Sequence, residues 1–310
     1  MHLIRSLKNV KIDRKLCLTI GNFDGFHIGH QEIIKKVKNI ADSENMASAI
    51  LSFEPHPRKF FKKEQNANFR INEVSQKIKF IKDYAIDYAI ILNFNEKFSQ
   101  ITATEFLKEV IINKLNVKNL IIGYDFVFGK NRNGDIDFLK KNQEKYDFKL
   151  TKINPFKKNH EICSSSLIRE KISNSQIKEA NELLTKNFTI NGIVLHGNKL
   201  AKKIGYKTAN FKAKSYIIKP LYGVYKSKTF IPHLNKTYDS ITNFGIRPTI
   251  LKNNQEFYET HIFDFKGDLY DKKISVELLS FIRKEQKFNS IDELTRQIKR
   301  DIAFAVNHLS

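Results

Sequence analysis

The chain has 310 residues, 41% hydrophobic and 28% charged, so it is long enough for two packed domains and too apolar for intrinsic disorder. Its two cysteines exclude a disulfide scaffold, and its net charge of +21 comes from lysines spread along the chain rather than from a basic run. That spread reads as solvated surface suited to anionic small substrates, not as a nucleic-acid or membrane-binding stripe. No apolar run follows the basic N-terminus and none is of bilayer length. The expectation is a cytoplasmic protein in which Cys17 and Cys163 stay reduced.

In chain order, apolar runs predict strands at 16–21, 47–53, 87–93, 117–122 and 148–153. Helical patterns fall between them at 29–42, 72–84, 102–115 and 135–144, which predicts a Rossmann-like parallel sheet covered on both faces. Two further helices are expected at 164–173 and 175–186. The period then changes. Residues 192–196, 223–230, 238–244, 257–265 and 274–282 alternate or run apolar between turn residues, as in an antiparallel sheet or small barrel. Ser290 reads as the N-cap of a terminal helix. The expected domains are 1–186 and 187–310.

The stretch Gly21-Asn22-Phe23-Asp24-Gly25-Phe26-His27-Ile28-Gly29-His30 sits where the first of these strands meets a helix. Ligands of parallel sheets bind at the carboxyl ends of strands. A helix start offers free N–H groups to an anion. His27 and His30 share one side of that first turn. Two imidazoles beside a helix N-terminus suit a triphosphate and the charge that builds on it during transfer. A His-x-x-His pair is also a metal half-site, but no third ligand is close in sequence.

Three further stretches follow later strands. Phe53-Glu54-Pro55-His56-Pro57 is a stiffened loop. In Gly123-Tyr124-Asp125-Phe126-Val127-Phe128-Gly129, the phenylalanines either flank a planar ring or belong to the core. Ser164-Ser165-Ser166-Leu167-Ile168-Arg169 opens a helix, with Arg169 a candidate phosphate clamp. In this order and spacing the motifs resemble the nucleotidylyltransferase superfamily and, within it, the bacterial bifunctional riboflavin kinase/FAD synthetase family, from about residue 3 to residue 305. The resemblance implies transfer of AMP from ATP to FMN, giving FAD and pyrophosphate. It implies that His27 and His30 act on the ATP phosphates, within a pocket that also includes Gly21, Asn22, Phe23, Asp24, Ser164 and Arg169. It implies Asp125, Phe126 and Phe128 for the flavin. Cys163 stands where the family usually has an aliphatic residue, and Ser166 where it has threonine.

The second half holds Gly205-Tyr206-Lys207-Thr208-Ala209-Asn210, Asn243-Phe244-Gly245-Ile246-Arg247-Pro248-Thr249, Glu259-Thr260-His261 and Asp268-Leu269-Tyr270. The second of these reads as a loop, and alternation puts Glu259 and His261 on one strand face. Thr208 and Asn210 are hard oxygen ligands suited to a Mg²⁺-nucleotide, or else they shape a turn. Glu259 is a candidate base, or else a solvated strand residue. The family resemblance implies a riboflavin kinase domain, a six-stranded barrel. There Lys207, Thr208 and Asn210 take ATP, Thr208 and Asn210 hold Mg²⁺, and Arg247 and Glu259 meet the flavin, with Glu259 as base. Lys207 replaces the proline of the family motif and Asp271 replaces a glycine.

The implied partners are riboflavin, FMN and ATP. Two other readings remain. One is a nucleotidylyltransferase with weak or lost kinase activity, or with another acceptor and its barrel a passive cap; the other is a basic barrel that binds nucleic acid.

Overall fold

The computed structural model describes residues 1–61, 68–158, 160–196, 206–247 and 255–307. By its contacts the chain divides into two compact units, Met1–Ala67 with Asn72–Ser165, and Asn68–Ile71 with Ser166–Ser310.

The first unit is built on six strands: β1 (His2–Ile4), β2 (Leu16–Ile20), β3 (Ala47–Glu54), β4 (Tyr88–Asn93), β5 (Val117–Gly123) and β6 (Lys149–Ile153). They pair in parallel in the order β1-β4-β3-β2-β5-β6. Every residue of β2 is buried, as a central strand with both faces covered requires. Leu16, Leu18, Leu51, Ile90 and Leu120 pack on one face with Phe106, Leu107 and Ile111 of the segment Ala103–Lys114, which winds into π-helical turns from Phe106. On the other face Ile50, Ala89 and Ile91 pack with Ile34 of helix Ile28–Ser43 and with Phe80 and Ile81 of helix Val74–Asp83. From β2 the chain runs outward through β3 to β4, then returns to place β5 on the other side of β2. The switch point therefore lies between β2 and β5, the position at which sheets of this kind bind ligands.

The expected helix at 135–144 is two pieces, Ile136–Lys141 and Gln143–Tyr146, broken at Asn142. Edge strand β1, helices Pro57–Phe61 and Glu96–Ser99, and a small hairpin of β7 (Lys157–Lys158) and β8 (Glu161–Ile162) were not anticipated.

In the second unit, β9 (Thr189–Ile193), β10 (Ala209–Phe211), β11 (Gly223–Ile231), β12 (Lys236–Arg247), β13 (Gln255–Ile262) and β14 (Lys273–Lys284) pair antiparallel in the order β10-β13-β12-β11-β14-β9. A bridge from Leu195 to Asn210, with an N–H to O distance of 2.7 Å, nearly closes the sheet into a barrel. Asn243–Arg247, expected as a loop, extends β12, because its residues pair one for one with Gln255–Glu259. Inside the barrel a buried chain of hydroxyls runs Thr229–Ser240–Ser227–Thr242–Thr260 at 2.8–2.9 Å, so each polar group finds a partner without water. Helices Ser165–Ser173 and Ile177–Leu183 lead into the barrel, where Asn181 Nδ2 donates to Leu278 O at 2.8 Å. The terminal helix Ile291–Asn307 starts with Ser290 Oγ accepting the Glu293 N–H, and Asp301 receives Arg283 of β14 through both Nε and Nη2. No helix among the described residues is long and apolar enough to cross a membrane.

Candidate active sites

The turn after β2 is bent at phenylalanine as well as at glycine. Gly25 has φ +85°, and Phe23 and Phe26 have φ +48° and +46°. Bulky residues rarely occupy this left-handed region, which costs about 1–2 kcal/mol each. Both rings are buried in the cluster of Ile34, Ile50 and Phe80, and that burial offsets the strain. The polar atoms of the turn are tied as well. Ser52 Oγ donates to Asn22 O at 3.2 Å, Ser165 Oγ donates to Asp24 O at 2.7 Å, and the Asn72 N–H reaches Asp24 Oδ1 at 3.3 Å.

This clamped turn delivers His27 as the N-cap of helix Ile28–Ser43 and His30 one turn on. Their rings stack with centroids 3.6 Å apart at 21°, and the Phe23 ring lies 5.1 Å from His30. The first turn of the helix contains no acidic residue, so nothing there opposes a bound anion. Cys163 is buried, and its Sγ accepts the amides of Ile28 and Gly29. Burial pushes the thiol's pKa up, and the two amides only partly offset this, so it stays protonated.

Across the switch point, Gly123 ends β5 close to this helix, and a Cβ there would lie 3.9 Å from Ile33 Cδ1. Asp125 is exposed beyond it. Phe126 and Phe128 stack at 5.4 Å, with Phe128 against Phe106 and Phe138 at the margin of the core. Gly134 is required there, because a Cβ would meet the Phe128 ring at 2.7 Å. Ser164 precedes helix Ser165–Ser173. Arg169, on that helix, belongs to the second unit. Its Nε donates to Phe69 O at 2.8 Å, and its guanidinium lies over the Phe69 ring at 5.6 Å.

In the barrel, antiparallel register sets Asn210 of β10, Glu259 of β13 and Asn243 of β12 in one cross-strand row. Directly opposed residues share a face. Tyr258 and Thr260 point inward and are buried, so Glu259 points outward with Asn210 and Asn243 beside it. Asn243 Nδ2 donates to Glu285 Oε1 at 3.1 Å, so a second carboxylate stands by the row. Thr208 lies two residues before Asn210, whose Nδ2 points to Thr208 O at 3.4 Å. Lys207 is exposed. Its carbonyl lies 2.9 Å from His261 Nδ1, and Tyr206 meets the His261 ring edge-on. Arg247 ends β12 opposite Gln255. Gly205, Pro248 and Thr249 lie outside the described residues. Among the described residues no group of three His, Cys, Asp or Glu side chains is placed to hold a metal.

The FAD synthetase family model matches residues 9–167 and the riboflavin kinase model residues 184–309. The bifunctional riboflavin kinase/FMN adenylyltransferase of Buchnera aphidicola (subsp. Schizaphis graminum) is 39% identical over 97% of this chain and 97% of its own length. That of Haemophilus influenzae is 36% identical over 98% of each. The chain belongs to the bifunctional riboflavin kinase/FMN adenylyltransferase family. It is an enzyme with both catalytic domains of that family. A solved structure described as a macrolide-efflux protein from Streptococcus pneumoniae shares the fold, with TM-score 0.88 and 27% identity over 99% of this chain and 98% of that one.

Two residues singled out in the sequence have structural counterparts. Asp271 has φ +60°, the conformation glycine favours. It keeps the turn through its N–H to Val194 O at 2.9 Å, with its carboxylate 3.2 Å from His196 Nε2. Cys163 uses its sulfur as a polar cap on the helix that bears His27 and His30. Sequence reading gave no role to Asn243, Glu285, Ser52 or Lys77. All four needed the fold, Asn243 through its pairing with Glu259.

Proposed function

We propose that this enzyme phosphorylates riboflavin to FMN at the outer face of its barrel, and transfers AMP from ATP to FMN at the switch point of its parallel sheet, with the functional division near residue 187. The observation that carries the reading is the presence of two built sites, one in each matched segment.

In the first unit His27 and His30 present stacked imidazoles at a helix N-terminus, where amide dipoles and ring N–H groups meet the ATP phosphates. The FMN phosphate is already ionised at neutral pH, so it attacks the α-phosphorus without a general base and pyrophosphate leaves. Gly21, Asn22, Phe23 and Asp24 form the pocket turn, Ser164 holds phosphate, and Asp125, Phe126 and Phe128 border the flavin.

In the barrel Glu259 accepts the proton of the ribityl 5′-hydroxyl as its oxygen attacks the γ-phosphorus. Arg247 meets the flavin, and Lys207 approaches the ATP phosphates. Thr208 and Asn210 fit Mg²⁺. They are hard oxygen donors two residues apart, brought together where Asn210 Nδ2 is directed at Thr208 O at 3.4 Å. When bound, Mg²⁺ neutralises phosphate charge. The reactions use small soluble substrates, consistent with a cytoplasmic site. Incubating the purified protein with riboflavin, ATP and Mg²⁺ and separating the flavins over time tests the reading. FMN should appear first and FAD after it. Absence of both would refute it.

A further inference from the structure

Lysine is almost never fully buried unless it is paired. Lys77 of helix Val74–Asp83 has no exposed side-chain surface. Its Nζ donates to Glu54 Oε1 at 3.0 Å and to Ser52 Oγ at 3.1 Å, at the carboxyl end of β3. An ammonium only donates, so Ser52 must accept from it, and the one hydroxyl proton of Ser52 is left for Asn22 O at 3.2 Å. The directions are therefore fixed from Lys77 through Ser52 to the Asn22 carbonyl.

That carbonyl belongs to the peptide before Phe23, whose φ of +48° is a conformation the chain does not hold by itself. The peptide plane sets the direction of the turn that ends in His27 and His30. The segment that bears Lys77 also supplies the Asn72 N–H to Asp24 Oδ1, and its helix start is fixed by a capping box of Glu73 and Gln76.

We propose that Lys77 and Ser52 are positioning residues for adenylyl transfer. They form a buried, one-directional relay that holds the Asn22–Phe23 peptide, and through it the histidine pair, in the reactive orientation. Neither residue touches substrate. The inference rests on the adenylyl-transfer reading of the first unit.

The test compares Ser52→Ala, Ser52→Thr, Lys77→Met and the double variant Ser52→Ala/Lys77→Met in the full chain. Steady-state FAD formation from FMN is measured, with FMN formation from riboflavin as the control in the same protein. Small misplacement of reacting groups costs up to about 10²-fold. Ser52→Ala and Lys77→Met should each lower kcat for FAD formation about 10–10²-fold, with KM for ATP changed less than threefold and kinase turnover unchanged. Ser52→Thr keeps the hydroxyl and should retain most of the activity. Because the residues act in series, the double variant should be no slower than the worse single. A Ser52→Ala protein with normal kcat overturns the proposal, as does a double variant whose losses multiply, or a Ser52→Thr as slow as Ser52→Ala. Should Lys77→Met not fold, the Ser52 pair still decides it. A wild type that makes no FAD refutes the adenylyl-transfer reading instead.

Discussion

Phe26 combines two opposed contributions that substitution can separate. Its ring is fully buried, while its backbone holds φ +46°. Replacing it by alanine removes a core ring, a loss of about 3–5 kcal/mol, and leaves a Cβ in the left-handed region. Replacing it by glycine loses the same ring but relieves about 1–2 kcal/mol of strain, against roughly 0.5–1 kcal/mol of glycine's extra backbone entropy. Phe26→Gly should therefore be more stable than Phe26→Ala by about 0.75 kcal/mol, the middle of a range of about 0–1.5 kcal/mol. Ile34 is the control. It is buried in the same cluster but lies within a helix, where glycine is worse than alanine by about 1 kcal/mol. The order of the pair should reverse between the two sites. Urea unfolding followed by far-UV circular dichroism measures it, with the transition of the first unit fitted separately from that of the barrel. An alanine variant at 26 as stable as the glycine variant, or more so, would refute the claim that this turn is strained and held by its rings.

If the exposed Lys207 ammonium approaches the ATP phosphates as proposed, Lys207→Ala should raise the kinase KM for ATP; an unchanged KM would return Lys207 to the role of a solvated side chain. Gly192→Ala would drive a Cβ to 2.2 Å from Phe211 Cδ2, so it should destabilise the barrel by about 1–3 kcal/mol in thermal unfolding while sparing the first unit. Burial pulls the Asp87 carboxyl up, but the Ser48 amide and hydroxyl outweigh it and hold the pKa below the usual carboxylate value. Its contribution is therefore complete above the ordinary carboxylate pKa and lost as pH falls through the lower folded value. Asp87→Asn should flatten the acid limb of the stability–pH curve, and an unchanged limb would contradict this.

The central strands were legible because each holds a short apolar run, Leu16–Leu18 in β2, Ala49–Leu51 in β3 and Leu120–Ile122 in β5, as burial on both faces favours. Short or edge elements such as β1 and β10 have too few residues to show a period. The strand expected at 192–196 lies at Thr189–Ile193, since Gly192 is inside it rather than at its start: it makes room for Phe211. Asn243–Arg247 read as a loop from its glycine, yet Gly245 is a strand residue whose missing Cβ leaves space for the Glu285 carboxylate. In the sites, the histidine pair and the Thr208–Asn210–Glu259 set could be named from motifs. Lys77 could not, because a lysine on a helix reads as solvent-facing until the fold places Ser52 and Glu54 against it. Nor could the phenylalanines at positive φ, since sequence assigns such bends to glycine alone.

The central claim is two chemistries at two sites on one chain, and a crossed assay of Glu259→Gln and His27→Ala tests it most directly. A base acts in the transition state, so Glu259→Gln should lose about 10²–10⁴-fold in kcat for FMN formation while making FAD from supplied FMN at the normal rate. His27→Ala given riboflavin should accumulate FMN and little FAD. Folded variants that each lose both activities together would contradict the account.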